Sequence, residues 1–339
     1  MKIGILTFHW ATNYGAVLQA YALQEYLRNE GHEVEIINYK PWHFDFWKCY
    51  LRRPWLLQYF HRDWIGHNKE LKLKLFRKNY LCQTKRYFSA KQIAVDNLDY
   101  DWVISGSDQI LNDSFTLSGE NSPTPAYYLQ SFPNAKRIGY AVSFGCNEYP
   151  VEALQYAKRW INNFDKVGVR EQTGLSILES MEYKGPKQIV PDPTILCGKE
   201  LFKDIKIEYP EKKGYICAYI LRKHIDFKED NVIYIDDFNN PLSMEQWLGT
   251  IMGSKGLITN SYHGMIIAIL NQVPFAVIAD AAHMNDRFYT LLENLGLTDH
   301  IITSIDNYST SLAQPIDWKD VEFRLAKFRK AGEYLLNNE

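Results

Sequence analysis

Short apolar runs alternate along this chain with segments of helical spacing, and no other feature constrains its fold as tightly. Strands are predicted at residues 2–8, 33–38, 102–105, 137–142, 166–169, 188–190, 215–221, 231–235, 256–259 and 274–278. Helices are predicted at 16–30, closed by Gly31, and at 152–163, 171–179, 243–249 and 286–295. A last helix, at 321–336, would pack against one domain or the other. Strands apolar on both sides and joined by helices form parallel sheets covered on both faces. Ten strands in two runs imply an α/β chain of two doubly wound domains. The break is placed in 191–213, where Pro191, Pro193, Pro210 and a charged tail read as loop. The expected domains are 1–196 and 197–315, followed by a C-terminal helix at 316–339.

Composition narrows the function classes. The net charge of −2 argues against a nucleic-acid protein that works by neutralising phosphates. Five cysteines, odd in number and without C-x-x-C spacing, read as reduced thiols rather than a disulfide frame or zinc site. The start is too soon polar for a signal peptide, and no apolar run reaches the length of a membrane span, so a cytoplasmic protein is expected. One segment stands apart. From 42 to 86, eleven Lys/Arg face only Asp45, Asp63 and Glu70, a balance of +8, amid Trp42, Trp47, Trp55 and Trp64. That mixture suits a peripheral contact with an anionic membrane. The favoured reading is a helical insertion, about 42–88, whose aromatics pack on the first domain.

Five phrases could carry chemistry. In Asn260-Ser-Tyr-His-Gly264 a strand meets a helix. Ser261 is the natural N-cap, and His263 and Gly264 fall in the first turn, where free N–H groups favour an anion. His263 there could donate a proton to the anion, or simply be satisfied beside an ordinary cap. Behind the first strand, Asn13-Tyr-Gly15 opens a helix with a capping residue and a glycine that permits close approach, for a polar ligand or for structure alone. Gly106-Ser-Asp-Gln109 projects Asp108 and Gln109 from a strand end, fitted to sugar hydroxyls or to an Asx turn. Arg170 ends another strand, and its guanidinium needs either Glu171 or an anionic ligand. Arg287 opens a helix after Asp286, against the dipole, and could bring a second cation.

In order, Asn13-Tyr-Gly-Ala-Val-Leu-Gln19, Gly106-Ser-Asp-Gln109, Ser143-Phe-Gly145, Val169-Arg-Glu171, Pro191-Asp-Pro193, Asn260-Ser-Tyr-His-Gly264 and Arg287 before Leu291-Leu-Glu-Asn-Leu-Gly-Leu297 resemble the polysaccharide pyruvyl transferase family. The resemblance implies two facing Rossmann-like domains of the glycosyltransferase-B type, with the active site between them. It implies transfer of pyruvate from phosphoenolpyruvate to a sugar or lipid-linked oligosaccharide, giving a cyclic ketal in capsule, exopolysaccharide or cell-wall polymer synthesis. By position His263 matches the family's donor-site histidine, and Arg170 its donor-contacting arginine. Some members carry an arginine where this chain has Ser261, so donor charge falls to Arg170, Arg287 or the helix N-terminus. His263 and Asp108 are then the expected catalytic pair. Arg170, Ser261, Gly264 and Arg287 are expected on the donor, and Asn13, Tyr14, Gly15 and Gln109 on the acceptor. No step demands a metal or a cofactor beyond the donor itself. The rival readings are a nucleotide-sugar glycosyltransferase of the same fold and a non-catalytic carbohydrate-binding protein.

Overall fold

The computed structural model describes residues 1–41, 44, 60–116, 125–221, 225, 227, 231–235, 241–279 and 286–337, and of 60–66 and 115–116 the backbone alone. Its strands are β1 (Lys2–Leu6), β2 (Glu33–Ile36), β3 (Trp102–Ser105), β4 (Lys136–Val142), β5 (Lys166–Val169), β6 (Lys187–Ile189), β7 (Ile216–Tyr219), β8 (Val232–Ile235), β9 (Gly256–Thr259), β10 (Phe275–Ile278) and β11 (Ile301–Ile302). They form two parallel sheets, ordered β2-β1-β3-β4-β5-β6 and β11-β10-β9-β7-β8. Ile3 pairs with Trp102 in the first, and Ile216 with Gly256 in the second. Apolar side chains fill both faces of the central strands: Ile3, Ile5, Ile104, Leu257, Ile258 and Phe275 are fully buried. The doubly wound expectation is met twice. In each sheet the winding reverses beside the first strand, at β1/β3 and at β7/β9, and a crevice opens there at the strands' carboxyl ends.

Helices set the two crevices face to face. Helix α1 (Tyr14–Asn29) starts at the Asn13 cap and is buried along most of its length. Tyr14 Oη donates to the Leu242 carbonyl at 2.7 Å, across to the second domain. Helix α2 (Phe60–Tyr80) buries Leu73 and Phe76 in the first domain's core, and its Lys72 Nζ donates to the Pro241 carbonyl at 2.6 Å. Helix α3 (Gln172–Ser180) is tied to the second domain through Thr173, whose N–H and Oγ1 donate to Asp286 Oδ2 at 2.9 and 2.8 Å.

Residues 191–213 are not loop throughout. Asp192 caps, and Pro193 opens, helix α4 (Pro193–Cys197), which packs on α1. Proline's fixed φ suits a first helical turn, where its missing N–H costs nothing. The expected boundary at 196/197 therefore falls inside a helix of the first domain's packing. After α5 (Tyr262–Leu270) and α6 (Asp286–Leu295), the chain ends in α7 (Trp318–Asn337). Helix α7 returns to the first domain, with Gln188 Nε2 donating to the Ala331 carbonyl at 2.7 Å. Of the basic aromatic segment, 42–43 and 45–59, including Trp42, Trp47 and Trp55, lie outside the described residues. The described α2 packs on the first domain as an insertion would. No helix among the described residues is long and apolar enough to cross a membrane.

Candidate active site

The carboxylate of Asp192 is the hub between the two crevices. Its Oδ1 caps α4, accepting from Thr194 N–H at 3.0 Å and Thr194 Oγ1 at 2.7 Å. Its Oδ2 accepts from Ser107 Oγ at 2.9 Å and Arg170 Nη1 at 3.2 Å. His263 Nε2 of the second domain stands 3.5 Å from the same oxygen, an ion-pair distance but too long for a well-made hydrogen bond. Burial alone would push this fully enclosed carboxyl up. His263, Arg170 and the Thr194 amide outweigh burial and hold it well below the usual carboxylate range.

Arg170, just past β5, has no side-chain exposure. Its Nη2 reaches Asp108 Oδ1 at 3.4 Å, so the guanidinium bridges two carboxylates and not Glu171, the protein partner expected from sequence. Chain order made Glu171 the obvious partner, but successive residues at a strand end point apart. Asp108 sits at φ 81°, in the left-handed region, which turns its carboxylate back towards Arg170. Burial opposes its charge, but Arg170, His263 and Arg287 together keep its pKa below the ordinary value. Glu171 goes the other way. It is buried, its Oε2 has no hydrogen-bond partner, and burial raises its pKa despite Arg170, Ser143 and Arg287.

Tyr262, the first residue of α5, lies beneath both arginines: the guanidinium carbons of Arg170 and Arg287 are 5.3 and 5.6 Å from its ring centroid. Arg287 makes no ion pair among the described residues, and its buried Nε has no acceptor. Its neighbour Asp286 is committed to Thr173 instead. Within the site Arg287 is thus the cation not already matched to a carboxylate.

Ser261 caps α5 as expected, Oγ accepting from Gly264 N–H at 3.2 Å. Both glycines expected to admit a ligand instead admit protein. A Cβ on Gly264 would lie 2.9 Å from Tyr219 Cδ1 and 3.2 Å from Thr259 Oγ1, so this glycine lets α5 settle on its own sheet. A Cβ on Gly15 would lie 2.1 Å from His263 Nδ1 and 2.4 Å from its Cγ. The imidazole is wedged between α1 of one domain and Asp192, with Nδ1 the nitrogen not turned to the carboxylate.

Four residues expected on the acceptor have structural partners here. Asn13 Oδ1 caps α1 through Ala16 N–H at 3.1 Å. Tyr14 is fully buried, stacked on Trp247 at 5.1 Å, and leaves no face for a sugar. Gly15 holds the His263 ring. Gln109 lies under the turn at Gly145, where a Cβ would come within 2.9 Å of its amide carbon. The expected donor and catalytic residues do converge: His263, Asp108, Arg170 and Arg287 surround Asp192 and Tyr262, with Ser261 and Gly264 shaping the helix that carries His263 and Tyr262.

With the cluster defined, comparison with known proteins is decisive for the family. A model of the polysaccharide pyruvyl transferase family matches residues 13–281, well over half of the chain. The chain belongs to that family. No curated protein matches the sequence. Among solved structures, S. aureus MnaA, crystallised with UDP, is similar with a TM-score of 0.53 and 11% identity, covering 99% of this chain and 95% of that one. The Methanocaldococcus jannaschii UDP-GlcNAc 2-epimerase, in complex with UDP-GlcNAc and UDP, gives 0.48 at 12% identity, covering 99% and 98%. At such identity the first likeness shows the fold, the two-domain Rossmann-like architecture expected from sequence.

Sequence reasoning about this pyruvyl transferase family member left Asp192, Ser107 and Tyr262 without a role, and gave Glu171 only that of a partner for Arg170. Asp192 carried a usable signal, since aspartate before Pro193 and Thr194 marks a helix cap at the end of β6. Tyr262 carried none, because an aromatic in a first helical turn reads as core until two arginines are found beside it.

Proposed function

We propose that this chain transfers pyruvate from phosphoenolpyruvate to a sugar, forming a cyclic ketal and releasing phosphate. The observation that carries the reading is the closed Asp108–Arg170–Asp192–His263 chain facing the unmatched Arg287, between the carboxyl ends of two sheets in a chain of this family. Phosphoenolpyruvate brings a carboxylate and a phosphate. Arg287 and the N-terminal turn of α5 meet that charge. Arg170, its charge matched by Asp108 and Asp192, acts as a positioning residue rather than a clamp. Protonation of the donor's C3 makes C2 an oxocarbenium-like electrophile. One sugar hydroxyl adds at C2, phosphate departs, and the neighbouring hydroxyl closes the ketal. Of the two hydroxyl protons, one balances C3 and the other leaves with phosphate. His263, beside Asp192, exchanges a proton with the leaving phosphate. Asp108, held ionised, orients the attacking hydroxyl rather than deprotonating it.

The family's place in capsule, exopolysaccharide or cell-wall polymer synthesis extends to this chain as part of the same proposal. The test supplies phosphoenolpyruvate with a panel of free and diphosphate-linked sugars and reads phosphate release and the ketal methyl signal by NMR. Release that needs both substrates supports the reading. Consumption of a nucleotide sugar with release of its nucleotide, and no use of phosphoenolpyruvate, would replace it with glycosyl transfer. No turnover and no donor binding would leave a carbohydrate-binding protein.

A further inference from the structure

The reaction needs an acid that the Asp192 cluster does not supply. Protonating C3 of an enol ether takes a group that still holds its proton near neutral pH. Asp108 and Asp192 are held ionised by the arginines and His263. Guanidinium groups do not give up a proton in proteins. Burial pushes Tyr262 well above its ordinary value, which leaves its phenol too weak an acid. His263 is taken by the phosphate.

Glu171 is the remaining carboxyl of the site, and its place in the fold sets it apart. It is the N-cap of α3, where an acidic side chain ordinarily accepts from the helix's second or third amide and is kept ionised by it. Glu171 makes no such bond. The second amide of the helix, Thr173 N–H, donates instead to Asp286 Oδ2 of the other domain, at 2.9 Å. Docking of the domains thus relieves Glu171 of capping. Its side chain stays inside the protein, at 1% exposure, and Oε2 makes no hydrogen bond. The groups that bear on it come from every element packed around it: Arg170 past β5, Asp286 and Arg287 from α6, Tyr262 from α5, and Ser143 and Cys146 past β4. Glu171 and Asp108 both lie in reach of Arg287, the cation left for the donor. Burial outweighs the two cations and favours the protonated acid.

Resting on the reaction proposed above, we infer that Glu171 is the acid that protonates C3 of phosphoenolpyruvate and then the base that receives the proton of the attacking sugar hydroxyl. The π pair of the C2–C3 double bond forms the new C3–H bond as the O–H bond of Glu171 breaks, and C2 is left electron-poor. The sugar oxygen gives a lone pair to C2, and its proton returns to the Glu171 carboxylate. Phosphate then leaves C2 with the bonding pair, the neighbouring hydroxyl closes the ketal, and its proton departs with phosphate through His263. The acid is restored within one turnover. C2 and C3 are bonded neighbours, so one carboxyl serves both atoms while Asp108 orients the hydroxyl.

Glu171→Gln separates this role from mere packing, because an amide keeps the shape and neutrality of a protonated carboxyl but is no acid. Phosphoenolpyruvate affinity, read by titration calorimetry, should stay within about twofold of wild type while kcat for phosphate release falls about 100-fold or more. A side chain that only fills space would leave both unchanged, so near-normal turnover overturns the proposal. So does a loss of donor affinity that accounts for the whole fall in kcat/KM, since Glu171 would then be a donor contact. NMR of wild type labelled at the glutamate carboxyl carbons needs no substrate. One carboxyl should titrate well above 4.5, and Glu171→Gln should lack it. Carboxyls that all titrate at the ordinary glutamate value overturn the proposal, even where the variant fails to fold. A wild type that shows the raised carboxyl but uses phosphoenolpyruvate with no acceptor would instead refute the reaction, and the role of Glu171 with it.

Discussion

Replacing Gly15 by alanine tests the catalytic reading at a residue that carries no functional group. The added Cβ would lie 2.1 Å from His263 Nδ1, 2.4 Å from Cγ and 2.9 Å from the histidine's own Cβ. For an ordinary contact of about 3.5 Å the ring must retreat by roughly 1.4 Å. The ring cannot make that movement and keep its place against Asp192. Misplacement of a reacting group by about 1 Å can cost on the order of 100-fold in rate, and kcat should fall by that much. Stability should fall by at most about 3 kcal/mol, since overpacking costs about 1–3 kcal/mol and alanine gains up to about 1 kcal/mol over glycine within a helix. The assay pairs donor-dependent phosphate release with thermal melts of Gly15→Ala, His263→Ala and the double variant. The two activity losses should fail to add, because both act through one imidazole. Near-normal turnover in Gly15→Ala would refute the placing of His263 in the reaction. So would fully additive losses.

Asp192→Asn should destabilise the fold by about 3–5 kcal/mol in urea titrations, because it removes the buried charge that Arg170 and His263 face. Arg287→Lys should weaken phosphoenolpyruvate binding about tenfold by calorimetry without lowering the melting temperature. Arg170→Lys, by contrast, should lower that temperature, since a point charge cannot serve Asp108 and Asp192 together. Acid should act through two opposed classes of carboxyl. Asp108 and Asp192 are held below 3.8, so their stabilisation is complete above that pH and is lost as pH falls through their folded values. Glu171 is raised above 4.5, so it weakens the fold as pH rises from 4.5 through its folded value. Glu171→Gln should abolish that part of the melting profile and leave the acid limb in place.

Strand and helix periodicity was enough to foresee the parallel sheets, because apolar alternation is a local property of the chain. Helix α5 was equally legible, since Ser261 caps it through its own neighbours. The phrases around Asp108, Arg170 and His263 could be picked out because each sits at a strand end, where doubly wound sheets collect ligand groups, and Arg287 because it opens a helix against the dipole. Their partners could not. Ser107, Arg170 and His263 come to Asp192 from three different strand ends, two in one domain and one in the other, and only docking of the domains makes one carboxylate their common acceptor. The same docking reassigns glycine. At Gly15 and Gly264 the sequence records the need for space, and only the packed structure tells whether a ligand, an imidazole or a neighbouring strand fills it. Local chemistry follows from neighbours in the chain, whereas a buried charge takes its meaning from whatever tertiary structure places within a few ångströms of it.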